Sequence, residues 1–211
     1  LLVSAFSGGA AAIGAFTALG KQLYDLTGRE LDLGLMGLAE FAPAAVLVFV
    51  TGMVADRRDR RRVAAIAVLC EALVLVALGL FTRSSSQAVW PIFVLIVLFG
   101  TARAFAGPSS RSLPADLMPA SKLPWLVPRM SGMWQLAFII GPVSAGFIYA
   151  AADWVVYLVM AGLLVVSAVA LSLLPAPARV VRDDTALTIR ERAREAVEGL
   201  RFVRRQQVVF G

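Results

Sequence analysis

The chain has 211 residues, 59% of them hydrophobic and only 16% charged, with a mean hydropathy of +0.80, whereas a soluble domain is expected at about 45–50% apolar and about 25% charged. The formal charge is +6, but no basic groove interleaved with aromatics accompanies it, which argues against nucleic acid as a partner. The chain contains no histidine, so the commonest metal ligand and general base is missing; this weighs against a membrane metalloenzyme, and neither metal nor cofactor is expected.

The apolar residues come in runs of about twenty, the length that crosses a bilayer as helix, and six such runs are predicted. The first covers 3–20 and is rich in small residues, with Gly8, Ala12 and Ala15 on one face, where helix backbones can approach closely in lipid. The chain opens in this run without methionine or a charged n-region, so it is read as a shortened N-terminus rather than a signal peptide. A break at Thr27-Gly28 leads to the second run, 33–54, which Pro43 should kink and which carries Glu40 about two turns in, ~10 Å from its start.

A dense polar turn follows. Between Asp56 and Arg62 stand five arginines and two aspartates. Such a block cannot lie in hydrocarbon, and arginine-rich short loops stay on the cytoplasmic side. Asp56 is placed at the entrance of the third span, where a carboxylate favours a helix N-terminus. That span, 63–81, carries Glu71 ~12 Å from the turn and the single cysteine, Cys70, which can form no disulfide within the chain.

A short polar turn, 82–87, precedes the fourth run, 89–105, with an interfacial Trp90 at its start and Arg103 near its inner end. The proline-rich stretch 107–129 then reads as a connection made of short helical turns at the interface. The fifth run, 130–150, contains Gly141, Pro142 and Gly146, residues that shape and pack a helix pair; the sixth, 154–174, is the most uniformly apolar. After residue 175 the composition changes. Thr188-Ile-Arg-Glu191 is a capping box, and Ile189, Ala193, Val197, Leu200 and Val203 follow at helical spacing, which predicts a cytoplasmic amphipathic helix. Gln207–Gly211 reads as the start of a seventh apolar segment. The domains are therefore a six-helix transmembrane unit over 1–175, an amphipathic linker over 176–207 and the opening of another helix over 208–211. With the arginine turn inside, the inner side holds 16 lysines and arginines and the outer side three, a bias that places the linker and tail in the cytoplasm.

Glu40, Glu71 and Arg103 are the ionisable residues most clearly within spans. Each costs roughly 2.5–3.5 kcal/mol near the bilayer centre on insertion scales, so each should face protein or a water-filled path. The three together are the candidate proton or substrate site, Glu71 and Glu40 because desolvation disfavours a carboxylate's charged form and suits reversible proton binding. The competing readings are structural pairing and snorkelling, and for Arg103 a pairing with Asp56.

Six spans, an arginine turn of form G-x-x-x-D-R-x-x-R-R and a charged linker resemble the N-terminal half of a major facilitator superfamily transporter. Gly52, Asp56, Arg57, Arg60 and Arg61 match the turn signature, with Asp59 where many members have a small residue. Tyr24–Gly28, Leu33-Gly34-Leu35, Leu38–Pro43 and Arg103-Ala-Phe-x-x-Pro108 followed by Leu113-Pro114 are similar to the branch of enterobactin-exporter and macrolide-efflux proteins. Gly141-Pro142-x-x-x-Gly146 resembles a span-five motif of drug–proton antiporters. The resemblance implies an all-α multi-pass protein of the plasma membrane and a missing C-terminal six-helix half as partner. It also implies alternating access around a central path, with Asp56 as a gate latch that engages the opposite half in one conformation. The activity implied is proton-coupled efflux of amphiphilic, drug- or siderophore-like small molecules. A major facilitator uptake carrier for a small solute and a non-transporting membrane receptor or scaffold are the alternatives. A membrane-embedded enzyme would need clustered His, Asp or Cys near a surface, and no catalytic residue is expected.

Overall fold

The computed structural model describes residues 1–84 and 86–175, leaving aside the side chains of Phe49, Ala55, Asp56 and Arg57. The linker and seventh-helix expectations, 176–207 and 208–211, lie outside the described residues. The fold is all-α. Its helices are α1 (Leu2–Thr27), α2 (Glu30–Arg57), α3 (Arg60–Arg83), α4 (Trp90–Leu117), α5 (Leu123–Ala151) and α6 (Val155–Ser172), with one 3-10 turn at Ala120–Lys122. All six α-helices contain a stretch long and apolar enough to cross a bilayer.

The helix ends follow from local chemistry. Gly28 closes α1 in the left-handed region at φ 63°, its N–H bonding the Tyr24 carbonyl, a conformation glycine adopts without steric cost. Only Arg58 and Asp59 separate α2 from α3. The Asp59 carboxylate caps α3 by accepting from the Arg61 N–H at 3.0 Å. This corrects the position expected for Asp56. The Arg58 N–H still bonds the Val54 carbonyl, so helical bonding carries past Asp56, which belongs to the last turn of α2.

The larger correction concerns 107–129. Rather than a chain of short turns, α4 continues through Pro108 and Pro114 to Leu117, and α5 begins at Leu123 and runs through Pro128. A proline removes one intrahelical hydrogen bond, but in a membrane bundle neighbouring groups can take up the freed carbonyl and the helix persists. Only Met118–Lys122 interrupts the two helices as coil and one 3-10 turn.

Packing is sequential around an arc: α5 on α1, α1 on α6, α6 on α3, α3 on α4, α4 on α2. The small residues of α1 serve the first of these contacts. A Cβ placed on Gly141 of α5 would meet the Ala10 carbonyl oxygen at 2.7 Å, and one on Gly14 would meet the Gly141 oxygen at 3.0 Å, so the two backbones cross in near contact. Gly146, by contrast, is exposed, and neither it nor Gly52 has any atom within 4 Å of such a Cβ, so neither makes a close helix contact among the described residues. Behind the arc, Gln22 of α1 joins α3 and α6. Its Nε2 donates to Thr82 Oγ1 at 2.9 Å, and the Tyr157 hydroxyl donates to its Oε1 at 2.5 Å. All three residues are buried.

Candidate functional site

Because α4 continues past Pro108, Arg103 falls in the middle of that helix rather than near its inner end. By helical rise it lies ~20 Å from Trp90, while Glu40 lies ~15 Å from the start of α2 and Glu71 ~16 Å from the start of α3. Each of the three residues therefore sits near the middle of its helix, and their side chains meet there. The Arg103 Nε stands 3.7 Å from Glu40 Oε1 and its Nη1 stands 3.7 Å from Glu71 Oε2. The expected pairing partner of Arg103 was Asp56; among the described side chains its partners are the two glutamates. Its guanidinium also lies 6.0 Å from the Phe99 ring centroid.

These distances are ion-pair contacts rather than closed hydrogen bonds, which fall near 2.7–2.9 Å for charged pairs, roughly. One cation thus serves two carboxylates and leaves each with free acceptor capacity. Their surroundings differ. Glu71 is 2% exposed, inside the packed face of α3, whereas the Glu40 side chain keeps a quarter of its surface open. The cluster opens on a cavity of about 890 Å³ that is also lined by aromatic side chains, Trp134 and Phe138 of α5, about one turn apart, and Phe41 of α2 next to Glu40. Among the described residues no three His, Cys, Asp or Glu side chains come together as metal ligands.

The arginine turn forms a second group where α2 meets α3, beside the ends of α4 and α6. The Arg60 Nη1 donates to both oxygens of Asp116, at 2.9 and 3.2 Å, tying the start of α3 to the end of α4. The Arg61 Nη1 donates to the Leu174 carbonyl just past α6, and its Nη2 lies 3.5 Å from Asp59. Two of the arginines therefore knit three helices together, and they satisfy an orphan carbonyl at a helix end where a cation is favoured. Asp56 and Arg57 lie in the final turn of α2, and their side chains are outside those described.

The sequence names Glu40, Glu71 and Arg103 as one candidate site, each by its cost in lipid, but does not show that a single guanidinium serves both carboxylates. Asp116, Gln22, Thr82 and Tyr157 went unnoticed. A polar side chain in an otherwise apolar run was the available signal for Tyr157; Gln22, beside Lys21 and Asp25, carried none. Asp116 lay in the stretch read as interfacial.

A family model described as Major Facilitator Superfamily matches residues 1–211. The uncharacterized MFS-type transporter YfiS of Bacillus subtilis is 25% identical over 188 residues, covering 89% of this chain and 44% of its own. Macrolide efflux protein A of Streptococcus pyogenes is 24% identical over 127 residues, covering 60% of this chain and 31% of its own. The chain therefore spans less than half the length of these curated relatives.

Proposed function

This chain belongs to the major facilitator superfamily, and from that premise we propose that it is the N-terminal half of a secondary transporter that exports amphiphilic small molecules in exchange for protons by alternating access. The observation that carries the reading is the convergence of Glu40, Glu71 and Arg103, from the middle of three helices, on one cavity. Intramembrane ionisable groups are costly and are retained where they bind ions or substrate. With one guanidinium between them, the carboxylates can trade Arg103, a proton or a positively charged substrate group against one another. The aromatic lining supplies apolar area for the rest of the molecule. Efflux as the direction is supported by the likeness to macrolide efflux protein A.

In this reading Gly52, Asp56, Arg57, Arg60 and Arg61 form the cytoplasmic gate. The contacts of Arg60 with Asp116 and of Arg61 with the Leu174 carbonyl hold the inner ends of α3, α4 and α6 as one body. Asp56 is the latch against the C-terminal half, favouring one access state by the free energy of a contact made only in that state. Gly141 and Pro142 set the α1–α5 crossing. The basic tail after residue 175 lies in the cytoplasm, in a plasma-membrane protein.

The test is accumulation of ethidium, a macrolide and a catecholate siderophore in cells with and without the whole protein. Efflux of at least one, abolished by the protonophore that collapses the proton gradient and by Glu71→Gln, is the expected result. Unchanged accumulation of all three, or efflux indifferent to Glu71→Gln, would sink the reading. For the latch, Asp56→Asn should alter the accessibility of the two faces to an impermeant thiol reagent; unchanged accessibility and transport remove that role.

A further inference from the structure

Glu40 reaches Arg103 from a helix that is poorly placed to hold it there. Pro43 stands three residues on, and its ring has no N–H to bond the Ala39 carbonyl, so the turn that carries Glu40 is the least self-supporting part of α2. α2 packs chiefly on α4 and meets its sequence neighbours α1 and α3 only lightly. The position of Glu40 is thus set by the contact of α2 with α4, and at Glu40 itself that contact falls on one residue.

Gly100 of α4 is buried, three residues before Arg103. A Cβ on Gly100 would lie 2.2 Å from the Glu40 carbonyl oxygen, 2.9 Å from its carbonyl carbon and 3.0 Å from its Cα. Among the described residues no other glycine is approached this closely. At Gly14 the nearest atoms belong to the flexible Met160 side chain, and at Gly141 the nearest backbone atom is 2.7 Å away. Backbone atoms of a neighbouring helix cannot step aside as a side-chain tip can, so a methyl group at Gly100 must move α2 as a body.

We propose that Gly100 is the positioning residue of the charge cluster: having no side chain, it admits the Glu40 backbone against α4 and so holds Glu40 within ion-pair reach of Arg103. Glu71 reaches the same guanidinium across the α3–α4 contact, whereas the three atoms nearest a Gly100 Cβ all belong to Glu40 of α2. Gly100→Ala should therefore uncouple one carboxylate from Arg103 and leave the other in place. The bearing of this on transport rests on the function proposed above; the helix geometry does not.

Double-mutant cycles on the thermal stability of the detergent-solubilised whole protein separate these claims. The non-additivity between Glu40→Gln and Arg103→Gln should be present in the unmutated background and vanish in a Gly100→Ala background. That between Glu71→Gln and Arg103→Gln should survive. Gly162→Ala, where a Cβ meets nothing within 4 Å, is the control and should leave both intact. Persistence of both couplings under Gly100→Ala, or their joint loss, overturns the proposal. If Gly100→Ala does not fold, magic-angle-spinning NMR of the unmutated protein reads the same contact: a Gly100 Cα–Glu40 carbonyl cross-peak is expected, and its absence overturns the proposal too. Ethidium efflux measured against pH adds the functional arm. Gly100→Ala should reproduce the profile of Glu40→Gln. If efflux ignores Glu40→Gln while the stability cycles behave as stated, the transport site is wrong and the positioning role of Gly100 stands.

Discussion

Glu71 and Glu40 stand at the same 3.7 Å from one guanidinium, yet the helices that present them are opposites. α3 is packed between α4 and α6, capped at its start by Asp59, tied to α4 by Arg60 and to the end of α6 by Arg61. At its outer end Thr82 is held by Gln22. α2 has no side-chain cap, carries Pro43, and turns most of its surface outward: 6% of its apolar span is buried, against 50% for α3. One carboxylate is built into a rigid post; the other rides on a rod that leans on α4. An ion pair of the same geometry can therefore be a fixed structural charge on one side and an adjustable one on the other.

The most severe way to break this contrast is to remove the shared cation. Arg103→Met leaves the nearly buried Glu71 without its cation; stranding one member of a fully buried pair costs about 3–5 kcal/mol, and the one-third exposure of the Arg103 side chain puts the expected loss at or below the low end of that range. Thermal unfolding of the whole protein in detergent should show that loss, and adding Glu71→Leu to the same variant should recover most of it, because a buried charge is then no longer stranded. A loss no larger than that of Glu40→Gln would mean that Glu71 does not depend on Arg103, and the contrast between the two helices would fall.

Next comes the outer anchor of α3. Gln22→Ala leaves the Tyr157 hydroxyl buried without its acceptor and Thr82 without its donor, a cost of about 1–3 kcal/mol. Hydrogen exchange should speed at the outer end of α3 and α6 and stay unchanged in α2. Uniform loosening of all helices would show that the bundle does not divide as described. A smaller effect belongs to the inner end. Asp59→Ala removes the N-cap of α3 and should cost about 1 kcal/mol, read as a lower unfolding temperature and faster exchange confined to the first turn.

The spans were legible because lipid imposes a simple rule: about twenty apolar residues, charges outside, arginines on one side. The break at Gly28, the basic turn and the Gly141 crossing all follow from single residues with strong local preferences. Two kinds of feature were not legible. Pro108 and Pro114 read as helix ends because the rule for proline is learned where water competes for the freed carbonyl; within the bundle α4 runs through both. That misjudged end displaced Arg103 toward the inner face and hid its meeting with Glu40 and Glu71. Likewise Asp56 and Asp59 are equally good caps by composition, and only the structure decides between them, through the Arg61 N–H bond to the Asp59 carboxylate and the Arg58 N–H bond to the Val54 carbonyl. Pairings across three helices depend on topology, and a single sequence gives each member without its partners.

The gentlest perturbation is also the most discriminating. Glu40→Gln removes one charge from a side chain that stays open to the cavity, and Arg103 keeps Glu71, so no ion is stranded. Partly solvated pairs of this kind are worth about 0.5–1 kcal/mol, and the unfolding temperature should barely move. If α3 is the rigid post and α2 the adjustable one, the consequence appears in motion instead. Spin labels on the outward residues Leu38 of α2 and Val94 of α4 should show a broader distance distribution in Glu40→Gln, since the ion pair that joins α2 to Arg103 of α4 is gone. Labels on Leu73 of α3 and Val94 should keep theirs. Equal broadening of both pairs would place the two glutamates on equivalent footings, and the distinction between a fixed and an adjustable charge would have no physical basis.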